Sequence, residues 1–145
     1  MTEMKPTSQL TAKSVATLLV VDDDPQLRGS LVALFQRLGL NVLSAPDGNV
    51  ALNHLFNHSV DLVITDIFMA DCDGLELLRM LRQIDPKPAV VAMSGAEHEA
   101  MPDFLRVAKR LGADRTISKP FQPAAILQLV EEMLGGPFPQ EGALI

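Results

Sequence analysis

Short apolar runs alternate along the chain with stretches whose apolar residues recur every three or four positions. The first run, "TLLVV" at 17–21, is rich in Val and Leu and ends in acids, as a buried strand would. Asp24 and Pro25 then read as an N-cap and a first helical residue. Leu27, Leu31, Leu34, Phe35 and Leu38 follow at helical spacing until Gly39 stops them. "NVLSA" (41–45) reads as a second strand, and a helix from Asp47 to about Phe56 turns Ala51, Leu52 and Leu55 inward. A third strand, "DLVIT" (61–65), leads through the loop "DIFMADCDG" into a helix carrying Leu77, Leu78, Leu81 and Ile84. "PAVVAMS" (88–94) is a fourth strand. The helix near 102–111 that follows has Pro102 in its first turn and Phe104, Leu105, Ala108 and Leu111 on its apolar side. "DRTIS" (114–118) is a fifth, weaker strand, and Ile126, Leu129, Val130 and Met133 mark a last helix after Pro123.

Five strand–helix units predict an α/β fold, a doubly wound five-stranded parallel sheet with five helices on both faces. The runs "LLVV", "LVI" and "AVVAM" are apolar throughout, as central parallel strands are. Right-handed crossovers leave few topologies, and the flavodoxin-like order 2-1-3-4-5 is the one expected. The domain is placed at 16–134. A polar stretch at 1–15 and a Gly/Pro-rich one at 135–145 read as flexible N-terminal and C-terminal tails.

A chain of 145 residues suits one domain with a real core. Its net charge of −6 argues against nucleic acid as a direct ligand and against a membrane surface. A single cysteine, Cys72, forms no internal disulfide, so the chain reads as cytoplasmic. No apolar run approaches the ~20 residues of a membrane span, and the N-terminus lacks a signal-peptide core.

In such sheets ligands bind outside the carboxyl ends of the strands, at the switch point between strands 1 and 3. Strand 1 ends at Asp22-Asp23, strand 3 at Asp66, strand 4 at Ser94-Gly95 and strand 5 at Ser118-Lys119-Pro120. Carboxylates clustered there need a cation or raised pKa values. Hard oxygen ligands suit Mg²⁺ shared with a phosphate, and Lys119 adds positive charge. This is equipment for holding a phosphoryl group. Asp24 is accounted for by the helix it caps.

The acid pair, the lone Asp in "VITDIFMADCDG", Ser94-Gly95 and "KPF" (119–121) together resemble the receiver domain of two-component response regulators, over about 17–134. The resemblance implies that Asp66 is the phosphoacceptor, attacking phosphohistidine of a partner kinase or a small phosphodonor. It implies a Mg²⁺ site, with Mn²⁺ as an alternative, formed by Asp22, Asp23, Asp66 and the backbone carbonyl of Phe68. Lys119 would pair with phosphoryl oxygens, Ser94 would donate to them, and Lys119-Pro120 would be a cis peptide. The implied partners are a histidine kinase or histidine phosphotransfer protein and a downstream protein target. A homodimer is compatible with the family. The length leaves no room for an attached DNA-binding domain and points to a stand-alone receiver, and the resemblance implies a signalling phosphoacceptor rather than an enzyme; a regulator whose effector domain has been removed is the variant reading.

Three positions depart from the family pattern. Thr116 replaces the usual aromatic three residues before Lys119, Ala70 replaces a common proline, and "GAEHEAM" lengthens the stretch after Ser94. Phe68 and Ala96 occupy positions that in this family influence acyl-phosphate hydrolysis, and an apolar Phe68 predicts slow self-dephosphorylation. The alternatives are an aspartate-nucleophile phosphohydrolase using Asp22 and Asp24, a flavin-binding protein, and a degenerate receiver that works without phosphorylation. Acids in place of a hydroxyl-rich loop count against a flavin. His54 and His58, spaced i, i+4, read as a surface or half-buried pair.

Overall fold

In the computed structural model, residues 15–69, 74–95 and 103–136 are described. The expectations for the tails at 1–14 and 137–145, for Ala70 and Cys72, for 96–102 and for the side chains of Phe104 and Leu105 lie outside the described residues. The elements, in chain order, are β1 (Thr17–Val21), α1 (Pro25–Gln36), β2 (Asn41–Ala45), α2 (Gly48–Asn57), β3 (Leu62–Asp66), α3 (Gly74–Leu81), β4 (Ala89–Ser94), α4 (Asp103–Arg110), β5 (Arg115–Ser118) and α5 (Pro123–Leu134).

The strands form one parallel sheet in the order β2-β1-β3-β4-β5, as the alternation predicts. Successive strand residues face opposite sides, so each central strand feeds two cores. Leu18, Val20, Leu62, Ile64, Val91 and Met93 pack with Leu31 and Phe35 of α1 and Ile126 and Val130 of α5. Leu19, Val21, Val63, Val90 and Ala92 pack on the other face with Ala51 and Leu55 of α2, Leu77, Leu78 and Leu81 of α3, and Ala108 of α4. β3 is buried at every position, which explains why its sequence shows no alternation.

The caps follow the sequence. The Asp24 side chain accepts from Gln26 N at 3.0 Å with Pro25 opening α1, and Asp47 accepts from Val50 N at 2.9 Å to start α2. Gly39 (φ 85°) ends the turn after α1, and Gly135 (φ 81°) closes α5.

Most boundaries agree with the sequence reading to within a residue, and three of the differences have a physical cause. Asp61 and Asp114 stand just before β3 and β5 rather than inside them. Each carboxylate accepts an N–H at the start of the neighbouring strand, from Thr17, the first residue of β1, and from Val90, the second of β4, both at 2.8 Å. These acids serve as strand caps, a long-range role that a local pattern does not register. α3 stops at Leu81, so Ile84 packs on the core from a turn and not from a helix. Pro86 lies just beyond, where a helix cannot continue past the preceding residue, and Asp85-Pro86 is a second cis peptide beside the expected Lys119-Pro120.

Candidate functional site

The carboxyl ends of β1, β3, β4 and β5 meet as the strand order requires. Asp22 follows β1 directly and is fully buried, its N–H extending the ladder to Ala45 O at 3.1 Å. Asp66 is the last residue of β3, paired in register with Met93, and is 6% exposed. Ser94, the last residue of β4, is buried one position beyond that pair and opposite Ser118. Lys119 follows β5, and its N–H donates to Ser94 O at 2.7 Å, tying the last two strand ends together.

Lys119 Nζ sits between two carboxylates, 2.9 Å from Asp22 Oδ2 and 3.1 Å from Asp66 Oδ2. Asp23 is exposed, and Asp22, Asp23 and Asp66 each place a carboxylate oxygen within 4.8 Å of the others. Burial holds the Asp66 carboxyl above the usual carboxylate range. The Lys119 charge opposes that rise, the Asp22 charge adds to it, and hydrogen bonds from Lys119 and the Phe68 main-chain N–H oppose it. For Lys119, burial alone would lower the pKa. Its hydrogen bonds and attraction to Asp22 and Asp66 outweigh burial and raise it, so the ammonium stays charged throughout the neutral range.

Two further groups shape the site without a signal in the spacing of acids. Arg28, one turn into α1, donates from Nη1 to the main-chain O of Asp22. Asp24 N donates to Asp22 Oδ1 at 2.9 Å, so Asp22 is fixed by its own loop as well as by Lys119. Gly74 opens α3 against the end of β3: its N–H donates to Ile67 O at 2.7 Å, and a Cβ there would lie 2.2 Å from Asp66 O. The "DG" at 73–74 hints at a turn, but not at this close approach.

The structure thus brings together Asp22, Asp23, Asp66 and Lys119, with Ser94 joined to them through the main chain of Lys119. Phe68 is half-buried, its ring against the core shared with α2, α3 and α4. Asp24 is exposed and engaged with Gln26 N, which leaves it the cap role expected and not that of a second catalytic acid. His54 meets Ser44 O at 3.0 Å, and the His54 and His58 ring centroids are 5.9 Å apart. Among the described residues, the trio Asp22, Asp23 and Asp66 is the cluster whose donors could hold a metal ion. Clustered hard oxygen donors with one exposed member fit Mg²⁺ or Mn²⁺, which retain water ligands. No helix among the described residues is long and apolar enough to cross a membrane.

A doubly wound parallel sheet with an acidic, lysine-bridged cluster at its switch point places the chain among the open α/β folds whose ligand sites lie at the carboxyl ends of the strands. The chain belongs to the response regulator receiver domain family, whose model matches residues 18–131. It is similar to the transcriptional activator protein PfeR of Pseudomonas aeruginosa, 38% identical over 110 residues, covering 75% of this chain and 34% of that protein. It is 32% identical over 118 residues to the transcriptional regulatory protein CpxR of Escherichia coli, covering 81% of this chain and 48% of CpxR. The chain therefore spans a third to a half of the length of these curated relatives. Among solved structures, the chemotaxis protein CheY4 of Vibrio cholerae superposes with TM-score 0.73 at 26% identity, covering 83% of this chain and 99% of that one. A CheY-like receiver domain protein from Methanospirillum hungatei superposes with TM-score 0.77 at 26% identity, covering 84% and 95%.

Proposed function

We propose that this receiver takes a phosphoryl group on Asp66 from a histidine kinase or histidine phosphotransfer protein and presents an altered surface to a protein partner. The observation that carries the reading is Lys119 Nζ bridging Asp22 and Asp66 at 2.9 and 3.1 Å, with Asp23 beside them. One Asp66 oxygen attacks the phosphorus of the phosphohistidine. The O–P bond forms as the P–N bond breaks, and the imidazole nitrogen leaves with the electron pair and takes a proton from solvent. Lys119, already on Asp66, turns to the phosphoryl oxygens, and the Ser94 hydroxyl donates to the same group. Mg²⁺ held by Asp22, Asp23, Asp66 and the Phe68 main-chain carbonyl would supply charge that offsets the transferring phosphoryl group.

The protein acts in this reading as a signalling phosphoacceptor, catalysing its own phosphorylation and dephosphorylation rather than turning over a separate substrate. The bond from Lys119 N to Ser94 O supports a route by which changes at Ser94 reach β5. Thr116 lies in β5 opposite Ala92, so that route carries no aromatic side chain at this position. The test is intact mass after incubation with Mg²⁺ and acetyl phosphate. The wild type should gain one phosphoryl group and Asp66→Asn none; no gain in the wild type, with Mg²⁺ binding intact, would favour a receiver that works without phosphorylation.

A further inference from the structure

A second charged feature lies at the opposite end of the sheet, where α3 and α4 finish. Arg79, Arg82, Gln83 and Leu111 line a hollow of about 410 Å³. The Arg82 stem lies over Gly112: a Cβ at that residue would stand 3.1 Å from Arg82 Cγ, and Gly112 itself adopts a φ of 122°. Lys87 approaches the same glycine, its Nζ 3.4 Å from Gly112 O. Arg79 pairs with Glu76 at 3.2 Å in full view of solvent, a contact of small worth. Arg82 forms no ion pair with any described residue.

Cations in the last turn of a helix answer its dipole, and that accounts for Lys109 and Arg110 on α4. It extends to Arg82, which stands in the turn that closes α3, but it does not account for the gathering of Arg79, Arg82 and Gln83 with Leu111 around one hollow. Guanidinium forks match carboxylate and phosphate oxygens. The volume falls within the ~300–1,000 Å³ typical of small-ligand sites. The overall charge of −6 repels a long polyanion, so a compact ligand suits the hollow better than a nucleic acid.

We propose that this hollow binds a small multivalent oxyanion, an organic phosphate or a polycarboxylate, independently of the Asp66 site. The ligand's charged oxygens would meet Arg79, Arg82 and the Gln83 amide, and its carbon skeleton would lie on Leu111. The test is a backbone amide NMR titration of the Mg²⁺-free protein with inorganic pyrophosphate and, separately, citrate. The tighter of the two identifies phosphate or carboxylate chemistry as the preferred source. Saturable shifts are expected at Gln83, Leu111 and Gly112. Arg82→Gln and Arg79→Gln should each weaken binding about tenfold, the loss of one charge-assisted contact. Glu76→Gln should tighten it by freeing Arg79, and Arg37→Gln, just past the end of α1, should leave it unchanged. Shifts that fail to saturate or spread over all exposed cations would overturn the proposal, as would wild-type affinity in both arginine variants.

Discussion

Replacing Lys119 by methionine keeps the apolar stem and removes the ammonium that bridges Asp22 and Asp66. At an effective dielectric of about 20, two carboxylate charges no more than 4.8 Å apart repel by at least roughly 3 kcal/mol. In the wild type Lys119 more than cancels this at 2.9 and 3.1 Å, less the cost of burying its own charge. Breaking a buried ion pair typically costs about 3–5 kcal/mol, and the Lys119 side chain is 20% exposed, so about 2–4 kcal/mol is expected here. Proton uptake caps the loss: carrying a carboxylate from its usual pKa of ~3.9 to neutrality costs about 4 kcal/mol.

The pH dependence has a definite sign. Asp66 already titrates above the usual carboxylate range because it is buried, and without Lys119 it rises further. A raised carboxylate favours the folded state while protonated and loses that advantage as pH climbs through its folded pKa. The deficit of Lys119→Met is therefore largest near about pH 8 and shrinks toward about pH 5. Urea denaturation in Mg²⁺-free buffer across that range measures it. A variant as stable as the wild type at about pH 8, or a deficit independent of pH, would refute the argument that Lys119 neutralises this cluster.

Other substitutions separate metal binding, packing and phosphoryl lifetime. Asp23→Asn removes an exposed carboxylate, so stability should change by no more than about 0.5 kcal/mol while calorimetric Mg²⁺ affinity falls at least about tenfold. Gly74→Ala puts a methyl group against Asp66 O and Ile67. It should cost at least about 3 kcal/mol in denaturant unfolding, and a cost under about 1 kcal/mol would mean that the close approach relaxes freely. Phe68→Asn should shorten the phosphorylated lifetime followed by intact mass; an unchanged lifetime would remove the ring's role in excluding water.

The elements legible in the sequence were those specified by local periodicity and by punctuation. Apolar runs placed the strands, Asp24-Pro25 and Asp47 placed two helix starts, and Gly39 placed one end. The site was legible because acids and a lysine stand at strand ends, and parallel topology carries all those ends to one edge. What stayed hidden depends on contacts across the chain. Lys119 reaches two carboxylates at once from 97 and 53 residues away. Arg28 braces a main-chain oxygen, and Asp61 and Asp114 cap neighbouring strands, so their side chains read locally as ordinary polar positions. Ile84 kept its core contact but not its helix, because periodicity reports which side a residue faces and not where the helix ends.

The central claim is that the carboxylate at the end of β3 becomes the acyl phosphate. Borohydride reduction after incubation with acetyl phosphate and Mg²⁺, followed by tandem mass spectrometry, reads that residue directly. The account predicts homoserine in place of Asp66, absent when Mg²⁺ is chelated. Homoserine at Asp22, Asp23 or Asp24 with Asp66 unchanged would contradict it.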